Sequence, residues 1–166
     1  MILVEPMSRV GPIVIILSLF LSSCVTLFDE EDKTRNWSAQ RFYSAASTAL
    51  NEGDYNRAIQ YYEKLEARYP FGKYAMQAQL DAAYAYYKYG EPDSAIAAAE
   101  RFIRIHPSNP HVAYAYYLKG LANFNRSIDI MSRFLPTDSA QRDSSAATDS
   151  FKDFGELIRR FPQSPY

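Results

Sequence analysis

The sequence predicts an all-α fold in which helical hairpins repeat along the chain. Alanine-rich stretches alternate with amphipathic stretches, glycines separate the two kinds, and prolines follow each amphipathic stretch. The segment GDYNRAIQYYEKLEARYP aligns without a gap with GEPDSAIAAAERFIRIHP, 37 residues later. A fixed step of this length is typical of proteins in which one supersecondary unit stacks on the next. The identical pairs are Gly53 and Gly90, Ala58 and Ala95, Ile59 and Ile96, Glu63 and Glu100, and Pro70 and Pro107.

The first helix of each hairpin is predicted at 39–52, 76–89 and 113–125. Small residues recur there at helical spacing, so that a second helix can approach closely. Gly53 and Gly90 close the first two of these helices, because glycine takes the left-handed conformation that a helix end needs without a steric penalty.

The second helix of each hairpin is amphipathic and is predicted at about 55–68 and 92–105 in the first two repeats. Apolar residues recur there at i, i+1, i+4 and i+7, which places them on one face. Proline lacks an amide hydrogen and restricts the residue before it, so prolines end these helices. The predicted buried residues and closing prolines are Ala58, Ile59, Tyr62, Leu65 and Pro70, then Ala95, Ile96, Ala99, Phe102 and Pro107, with Pro162 closing the third repeat.

The third repeat contains a predicted insertion. FKDFGELIRRFP at 151–162 matches the second helix of the first repeat at 59–70, yet it lies further along the chain than the 37-residue step allows. The additional residues fall at about 131–145, a polar stretch with Pro136 and several serines and aspartates, which indicates a loop. The chain is expected to re-enter a helix near Ser145. The three repeats therefore cover about 39–72, 76–109 and 113–162.

These hairpins resemble tetratricopeptide repeats, which share the pattern of small residues, glycine and proline and have a period of about 34 residues. The resemblance implies a right-handed superhelical solenoid with a concave groove, in a repeat domain that spans 37–166. Each repeat of a solenoid buries its apolar face on the next one, so an array that is cut exposes apolar surface. We therefore expect the third hairpin to be less stable than the first two.

Residues 1–23 are typical of a secretory signal peptide, here of the lipoprotein type. An apolar run interrupted only by serine follows Arg9. This run is shorter than the roughly 20 apolar residues that a membrane-spanning helix needs, and it suits the apolar core of a signal peptide. Glu5 is unusual in a basic leader, so the start codon is either that of Met1 or that of Met7.

Leu21–Cys24 has the sequence LSSC and resembles a bacterial lipobox. The resemblance implies diacylglycerol on the Cys24 thiol, cleavage before it and acylation of the new amino group. Several acyl chains anchor a protein stably to a membrane, whereas a single chain binds only marginally. The alternative is an ordinary signal peptide with an incidental cysteine. Residues 24–36 would form a lipidated N-terminal tether. Val25, the residue after the cysteine, favours localisation at the outer membrane. No cofactor is predicted besides the covalent lipid on Cys24.

Three further stretches carry a more specific resemblance: AYAYYKYG, YAYYLKGLANF and FLPTDSAQRD. With the lipobox and the repeats, they resemble the BamD family of lipoproteins of the β-barrel assembly machinery in Gram-negative bacteria. The resemblance implies a scaffold that is lipid-anchored at the periplasmic face of the outer membrane. It also implies binding to BamA and accessory Bam lipoproteins, and reception of the C-terminal β-signals of unfolded outer membrane proteins. The family has further C-terminal hairpins, so the chain would be a fragment or a truncated gene product.

The helical step divides the first helices into two faces. The face that packs on partner helices is predicted to hold Gln79, Ala82, Ala83, Tyr86, Tyr116, Lys119 and Gly120. The other face would line the concave groove with tyrosines, uncharged in the middle, where a peptide with aromatic residues binds by apolar contact and side-chain hydrogen bonds. The alternative is that these tyrosines only pack on neighbouring helices. The predicted groove residues are Gln40, Tyr43, Gln77, Leu80, Tyr84, Tyr87, Lys88, Tyr114, Tyr117, Leu121 and Asn125.

The sequence favours a binding protein over an enzyme. His106 and His111 have no cysteine partner and no HExxH motif, so no metal site is predicted, and no phosphate-loop or catalytic-triad motif is present. Lys and Arg number 18 against 19 Asp and Glu, so the net charge gives no indication of nucleic-acid binding. The alternative function is a periplasmic repeat adaptor that coordinates cell-envelope or division machinery without a role in barrel assembly.

Overall fold

The computed structural model describes residues 33–134 and 144–166. The predicted signal peptide at 1–23, the lipidation site Cys24 and the tether up to residue 32 lie outside the described residues. Most of the predicted loop insertion, at 135–143, lies outside them as well. The predictions for these segments therefore stay predictions.

One compact unit, Trp37–Tyr166, contains every helix of the described ranges, and each helix packs against the next one along the chain. No strand occurs in the part of the chain that the structure describes, so the predicted all-α fold of helical hairpins is confirmed, while its right-handed superhelical path stays a prediction. The helices are α1 (Ala39–Asn51), α2 (Tyr55–Arg68), α3 (Lys73–Tyr89), α4 (Pro92–Ile105), α5 (Val112–Phe134) and α6 (Ser144–Arg160).

The local sequence sets the helix ends of the first two hairpins. The Ser38 hydroxyl caps α1 by accepting a hydrogen bond from the amide three residues on, at 3.2 Å. The Asp54 carboxylate caps α2 in the same way, at 3.1 Å. Gly53 and Gly90 have φ values of 80° and 85°, which is the left-handed conformation that glycine adopts without strain. Both glycines therefore end helices where the sequence predicts.

Three apolar clusters hold the hairpins together. The first joins α1, α2 and α3 around the fully buried Phe42, Tyr62 and Leu65. The second joins α3, α4 and α5 around Phe102 and Leu118. The third joins α5 and α6 and, among the described side chains, has four buried residues where the first has eleven. Those of the third cluster are Val112, Ala113, Tyr116 and Leu157.

The two helices of the third hairpin approach each other closely at Gly120. A Cβ atom on this residue would lie 2.7 Å from the Phe154 ring, so a side chain does not fit there unless the ring moves. Beside this contact, the buried Asp153 carboxylate accepts a hydrogen bond from the Asn123 amide at 2.7 Å and pairs with the Lys119 ammonium at 3.1 Å. Polar contacts therefore hold α6 against α5 next to a small apolar cluster.

The first helix of the second repeat starts earlier than predicted. α3 begins at Lys73, three residues before the predicted start at 76. The turn that follows Pro70 is already complete at Gly72, where φ is 102°, so the helix can start at the next residue. The earlier start brings Tyr74 into the helix, on the side of α3 that faces α1.

The first residues of the insertion predicted at about 131–145 are helical. α5 continues to Phe134, past the predicted helix end at 125, and α6 begins at Ser144, within one residue of the predicted re-entry point. Apolar residues at 124, 128 and 131 keep helical spacing, which the polar composition of the stretch concealed. Pro136 disfavours a helical conformation in the residue before it, which accounts for the end of α5 two residues ahead of the proline.

Candidate functional site

A row of half-buried tyrosines crosses the first helices of the three repeats. Tyr43 lies on α1, Tyr84 on α3, and Tyr114 and Tyr117 on α5, and each is partly exposed. We call these four residues the tyrosine row. The ring centroids of Tyr114 and Tyr117 are 6.4 Å apart, and Tyr43 lies 5.6 Å from the ring of Tyr74. Half-exposed tyrosines offer a ligand both an apolar face and a hydroxyl group.

Asp81 lies at the centre of the tyrosine row and connects its repeats. Its carboxylate accepts hydrogen bonds from the Tyr43 hydroxyl on α1 and from the Gln77 amide one turn earlier on α3, both at 2.9 Å. The imidazole of His111 also acts on this carboxylate. The prediction that the groove is uncharged in the middle is therefore wrong, because the helical step places Asp81 on the same face as the tyrosines.

Burial raises the pKa of the Asp81 carboxyl above its usual range. The hydrogen bonds from Gln77 and Tyr43 oppose that rise, as does the nearby charge of His111. Burial also raises the pKa of the Tyr43 and Tyr62 hydroxyls, and the negative charge of Asp81 acts in the same direction. The Tyr62 hydroxyl is buried without a hydrogen-bond partner in the described part of the chain. The tyrosines beside Asp81 therefore stay neutral around a partly desolvated carboxylate.

Tyr166 covers the end of the tyrosine row in the third repeat. Its ring stacks on Tyr117 with centroids 5.4 Å apart and lies 5.1 Å from Tyr114. The contact between Tyr43 and Tyr74 occupies the corresponding positions of the first repeat, since 117 and 166 align with 43 and 74. The two ends of the row are thus built alike: a tyrosine of the first helix meets a tyrosine that follows the closing proline of the same hairpin.

The structure leaves ten of the eleven predicted groove residues at least partly exposed. The exception is Leu80, which is wrong as a groove residue: it is 2% exposed and packs with Phe102 and Leu118 in the second cluster. A leucine has no hydroxyl that must stay near water, so it can be buried completely at a position where other repeats carry tyrosine. No contact with a ligand is tested, so the groove role stays a prediction for Gln40, Tyr43, Gln77, Tyr84, Tyr87, Lys88, Tyr114, Tyr117, Leu121 and Asn125.

The predicted packing face agrees with the structure. Lys119 pairs with Glu100 on α4 at 2.9 Å and with Asp153 on α6 at 3.1 Å, so it points at partner helices. Tyr86 lies half-buried between the first and second clusters, and its hydroxyl donates a hydrogen bond to the Glu63 carboxylate. The other residues of this face are all buried: Gln79, Ala82, Ala83, Tyr116 and Gly120.

Sequence reasoning missed Asp81 and the two covering tyrosines, Tyr74 and Tyr166, as parts of this surface. A signal for Asp81 was present, because Gln77, Asp81 and Tyr84 follow one another at helical steps of four and three residues. The two covering tyrosines align with each other in the repeat, but their contact with the row depends on how the turn after each proline folds back.

A separate cleft of about 650 Å³ lies between α2, α3 and α4. Glu66 on α2 and Arg101 on α4 pair across it at 2.7 Å. Burial raises the pKa of the Glu66 carboxyl, and the charge of Arg101 opposes that rise. Tyr86, Ala82 and other alanines line the same cleft, so it contains packing-face residues and none of the predicted groove residues.

The described residues contain neither a cluster of metal ligands nor a membrane-spanning helix. His106 ends α4 with its ring nitrogen 3.2 Å from the Gln79 amide oxygen, and no group of three or more possible metal ligands occurs in these ranges. Within the same ranges, none of the helices combines the length and the apolar character that crossing a membrane requires.

Comparisons with known proteins give one consistent family. The model of the YfiO family, described as an outer membrane lipoprotein, matches residues 35–166. The chain is 43% identical over 153 residues to the outer membrane protein assembly factor BamD of Neisseria meningitidis serogroup A, covering 90% of this chain and 57% of that protein. Proteins of the same name from Vibrio cholerae and Xylella fastidiosa are 38% and 36% identical over 126 and 127 residues, covering 76% of this chain and 52% and 44% of theirs. The chain thus spans about half the length of the curated relatives it matches.

Proposed function

Because the chain belongs to the YfiO family of outer membrane lipoproteins, we propose that it takes part in the assembly of outer membrane proteins. In this proposal it is a helical scaffold without catalytic activity, anchored through lipid on Cys24 to the periplasmic face of the outer membrane. It binds BamA and accessory Bam lipoproteins and receives the C-terminal β-signals of unfolded outer membrane proteins. The names of the relatives support this role. They give no support to the alternative of an adaptor for cell-envelope or division machinery.

The tyrosine row is the observation that carries the proposed binding role. A β-signal ends in an aromatic residue, and aromatic rings pack favourably against half-exposed tyrosines at centroid distances of about 4.5–7 Å. The row draws its rings from three repeats, so one extended peptide can contact all of them. Gln77 and Asn125 lie on the same helices and are partly exposed, and their amides can bind the peptide backbone.

Site-specific crosslinking tests this binding role directly. A photoreactive residue replaces Tyr84 or Tyr117 in the full chain, and a third protein carries it at Tyr89, an exposed tyrosine at the end of α3 outside the predicted groove set. A labelled peptide from the C-terminus of an outer membrane protein should be captured at Tyr84 and Tyr117 and not at Tyr89. Capture should be lost when the last aromatic residue of the peptide is deleted, because that residue supplies the ring contact.

Two results of the crosslinking experiment would contradict the proposal. Capture of a scrambled peptide at the same yield would show that the row has no preference for the signal. Capture at Tyr89 as strong as at Tyr117 would show that the peptide does not select the tyrosine row.

Membrane fractionation and co-purification test the anchor and the partners. Cys24→Ser should move the protein from the membrane fraction to the soluble fraction, while the matched variant Ser23→Ala should leave it in the membrane, since only Cys24 carries the thiol that accepts lipid. The full-length protein should retain BamA in detergent extracts. Absence of BamA from such extracts would oppose membership in the assembly machinery.

A further inference from the structure

Asp81 is a half-buried carboxylate that has no lysine or arginine at ion-pair distance among the described residues. The ion pairs of those residues involve other carboxylates. Asp153 shows the contrast, since the Lys119 ammonium lies 3.1 Å from it. An ionised carboxylate that loses water without gaining a counter-ion raises the free energy of the folded state. Asp81 is therefore poised to gain from a cation that arrives with a ligand.

The hydrogen bonds of Asp81 hold it in place without neutralising it. Tyr43 donates to one carboxylate oxygen and Gln77 to the other, both at 2.9 Å. Both donors are neutral. A carboxylate oxygen can accept two hydrogen bonds, so these two bonds do not use the full accepting capacity of Asp81.

Tyrosine rings next to Asp81 make its surroundings favourable for a cation. The charge of Asp81 acts on the hydroxyls of Tyr43 and Tyr114, whose pKa values burial raises first of all. Tyrosines of the first and third repeats therefore lie near this carboxylate, and Tyr84 of the second repeat lies near Tyr114. Ammonium and guanidinium groups bind over tyrosine faces, and a carboxylate beside the rings strengthens the attraction. The same carboxylate repels a ligand carboxylate.

We propose that Asp81 gives the tyrosine row a preference for peptides that carry a lysine or arginine beside their aromatic residues. This inference rests on the proposed function and adds the chemical class of the peptide. The cationic side chain pairs with the Asp81 carboxylate while the aromatic side chains of the peptide pack on the neighbouring tyrosines. The free C-terminal carboxylate of such a peptide lies away from Asp81.

Peptide binding to the full chain in detergent micelles tests this preference by fluorescence anisotropy. Three labelled peptides share the same aromatic residues and an amidated C-terminus, and differ at one position that holds arginine, citrulline or glutamate. The wild-type chain should bind the arginine peptide about five- to tenfold more tightly than the citrulline peptide, and the glutamate peptide most weakly. Asp81→Asn should abolish the difference in affinity between the arginine and citrulline peptides.

Asp93→Asn is the matched control for the loss of one negative charge. Asp93 lies in the first turn of α4, outside the tyrosine row, with a side chain that is 82% exposed. This variant should keep the full preference for arginine. If Asp93→Asn also lost the preference for arginine, the effect would come from the net charge of the chain, and the role of Asp81 would be overturned.

The remaining outcomes separate the two proposals. Equal wild-type affinity for the arginine and citrulline peptides would overturn the preference while leaving peptide binding intact. An equal loss of both affinities in Asp81→Asn would show a structural role in place of a selective one. Binding of none of the three peptides by the wild-type chain would overturn the proposed function, and the preference with it.

Discussion

The first and third hairpins use the same repeat positions but hold their helices together differently. In the first hairpin, Tyr62 and Leu65 on α2 are both fully buried. The corresponding residues of α6 are Phe154 and Leu157. Leu157 is buried, whereas the Phe154 ring is half-exposed and lies against the backbone of Gly120. A leucine at the same repeat position thus belongs to a large cluster in one hairpin and to a small one in the other.

In the third hairpin, polar contacts supply part of the packing between α5 and α6. The Asp153 carboxylate lies between Asn123 and Lys119, and the Ser150 hydroxyl donates a hydrogen bond to the Gly120 carbonyl oxygen at 3.0 Å. An apolar cluster distributes its stabilisation over many contacts. A buried polar network depends on every partner being present, since a donor or acceptor left alone keeps its desolvation cost. The third hairpin should therefore be more sensitive to single polar substitutions than the first.

The largest expected effect comes from truncating the leucines that the repeat aligns. Leu65→Ala should lower the free energy of unfolding by about 3–5 kcal/mol, because it leaves a cavity in a closely packed cluster. Leu157→Ala should cost about 2–3 kcal/mol, because the smaller cluster has more freedom to collapse around the cavity. Urea denaturation of the full chain, followed by circular dichroism, measures both. A cost for Leu157→Ala that equals or exceeds that for Leu65→Ala would show that the third cluster is packed as tightly as the first.

The next effect tests the polar network of the third hairpin. Asp153→Ala removes the partner of the Asn123 amide and one partner of Lys119, and should lower the free energy of unfolding by about 2–4 kcal/mol. Asp149→Ala, one turn earlier on α6, removes surface ion pairs with Arg126 at 3.3 Å and with a lysine at 3.8 Å. That variant should cost at most about 1 kcal/mol. Equal costs for the two aspartates would mean that burial of the network contributes nothing.

The repeat explains how much of this comparison the sequence predicted. The predicted bounds of α2 and α4 are correct because in both hairpins a glycine precedes the helix and a proline follows it. The helix predicted at 113–125 continues to Phe134 as α5, an extension that the sequence does not predict because these last residues are polar enough to resemble a loop. The contact at Gly120 could not be predicted, because it depends on the distance between two helices that an insertion separates in sequence.

In the candidate site too, helical spacing predicts which side chains are exposed, whereas contacts between helices cannot be predicted from the sequence. Tyr43, Tyr84 and Tyr117 were placed on the exposed face by helical spacing alone, and the structure leaves each of them half-buried. Leu80 has the same spacing but is buried, because Phe102 on α4 and Leu118 on α5 pack against it. Asp81 was overlooked because its role depends on Tyr43, which another repeat supplies.

Substituting glycine in the third hairpin has a smaller expected effect and a clear control. Gly120→Ala places a methyl group where the Phe154 ring lies, and should lower the free energy of unfolding by about 1–3 kcal/mol through overpacking. Gly155→Ala on the facing helix meets open space, and should raise the free energy of unfolding by up to about 1 kcal/mol, because alanine favours the helix. Thermal denaturation separates the two signs. A stabilising Gly120→Ala would show that α5 and α6 are not in close contact.

The smallest expected effect concerns Asp81, which, unlike Asp153 of the third hairpin, has no lysine or arginine partner among the described residues. Because the folded-state pKa of Asp81 is raised, the folded protein binds more protons than the unfolded chain between the usual carboxyl pKa of about 3.9 and that higher value. Its free energy of unfolding therefore falls, through this group, as the pH rises across that window. Asp81→Asn cannot titrate, so the difference between wild type and variant should shift in favour of the variant from pH 4 upwards and then level off.

Urea denaturation of both proteins at a series of pH values measures that difference, and titrating groups that do not act on Asp81 cancel because both proteins share them. The asparagine amide can keep hydrogen bonds to Tyr43 and Gln77, each worth about 1 kcal/mol, so the variant should not lose stability at neutral pH. A difference that moves in favour of the wild type with rising pH would mean that a cation compensates Asp81 within the chain. The contrast with Asp153 would then disappear, and with it the reason for a ligand to supply that cation.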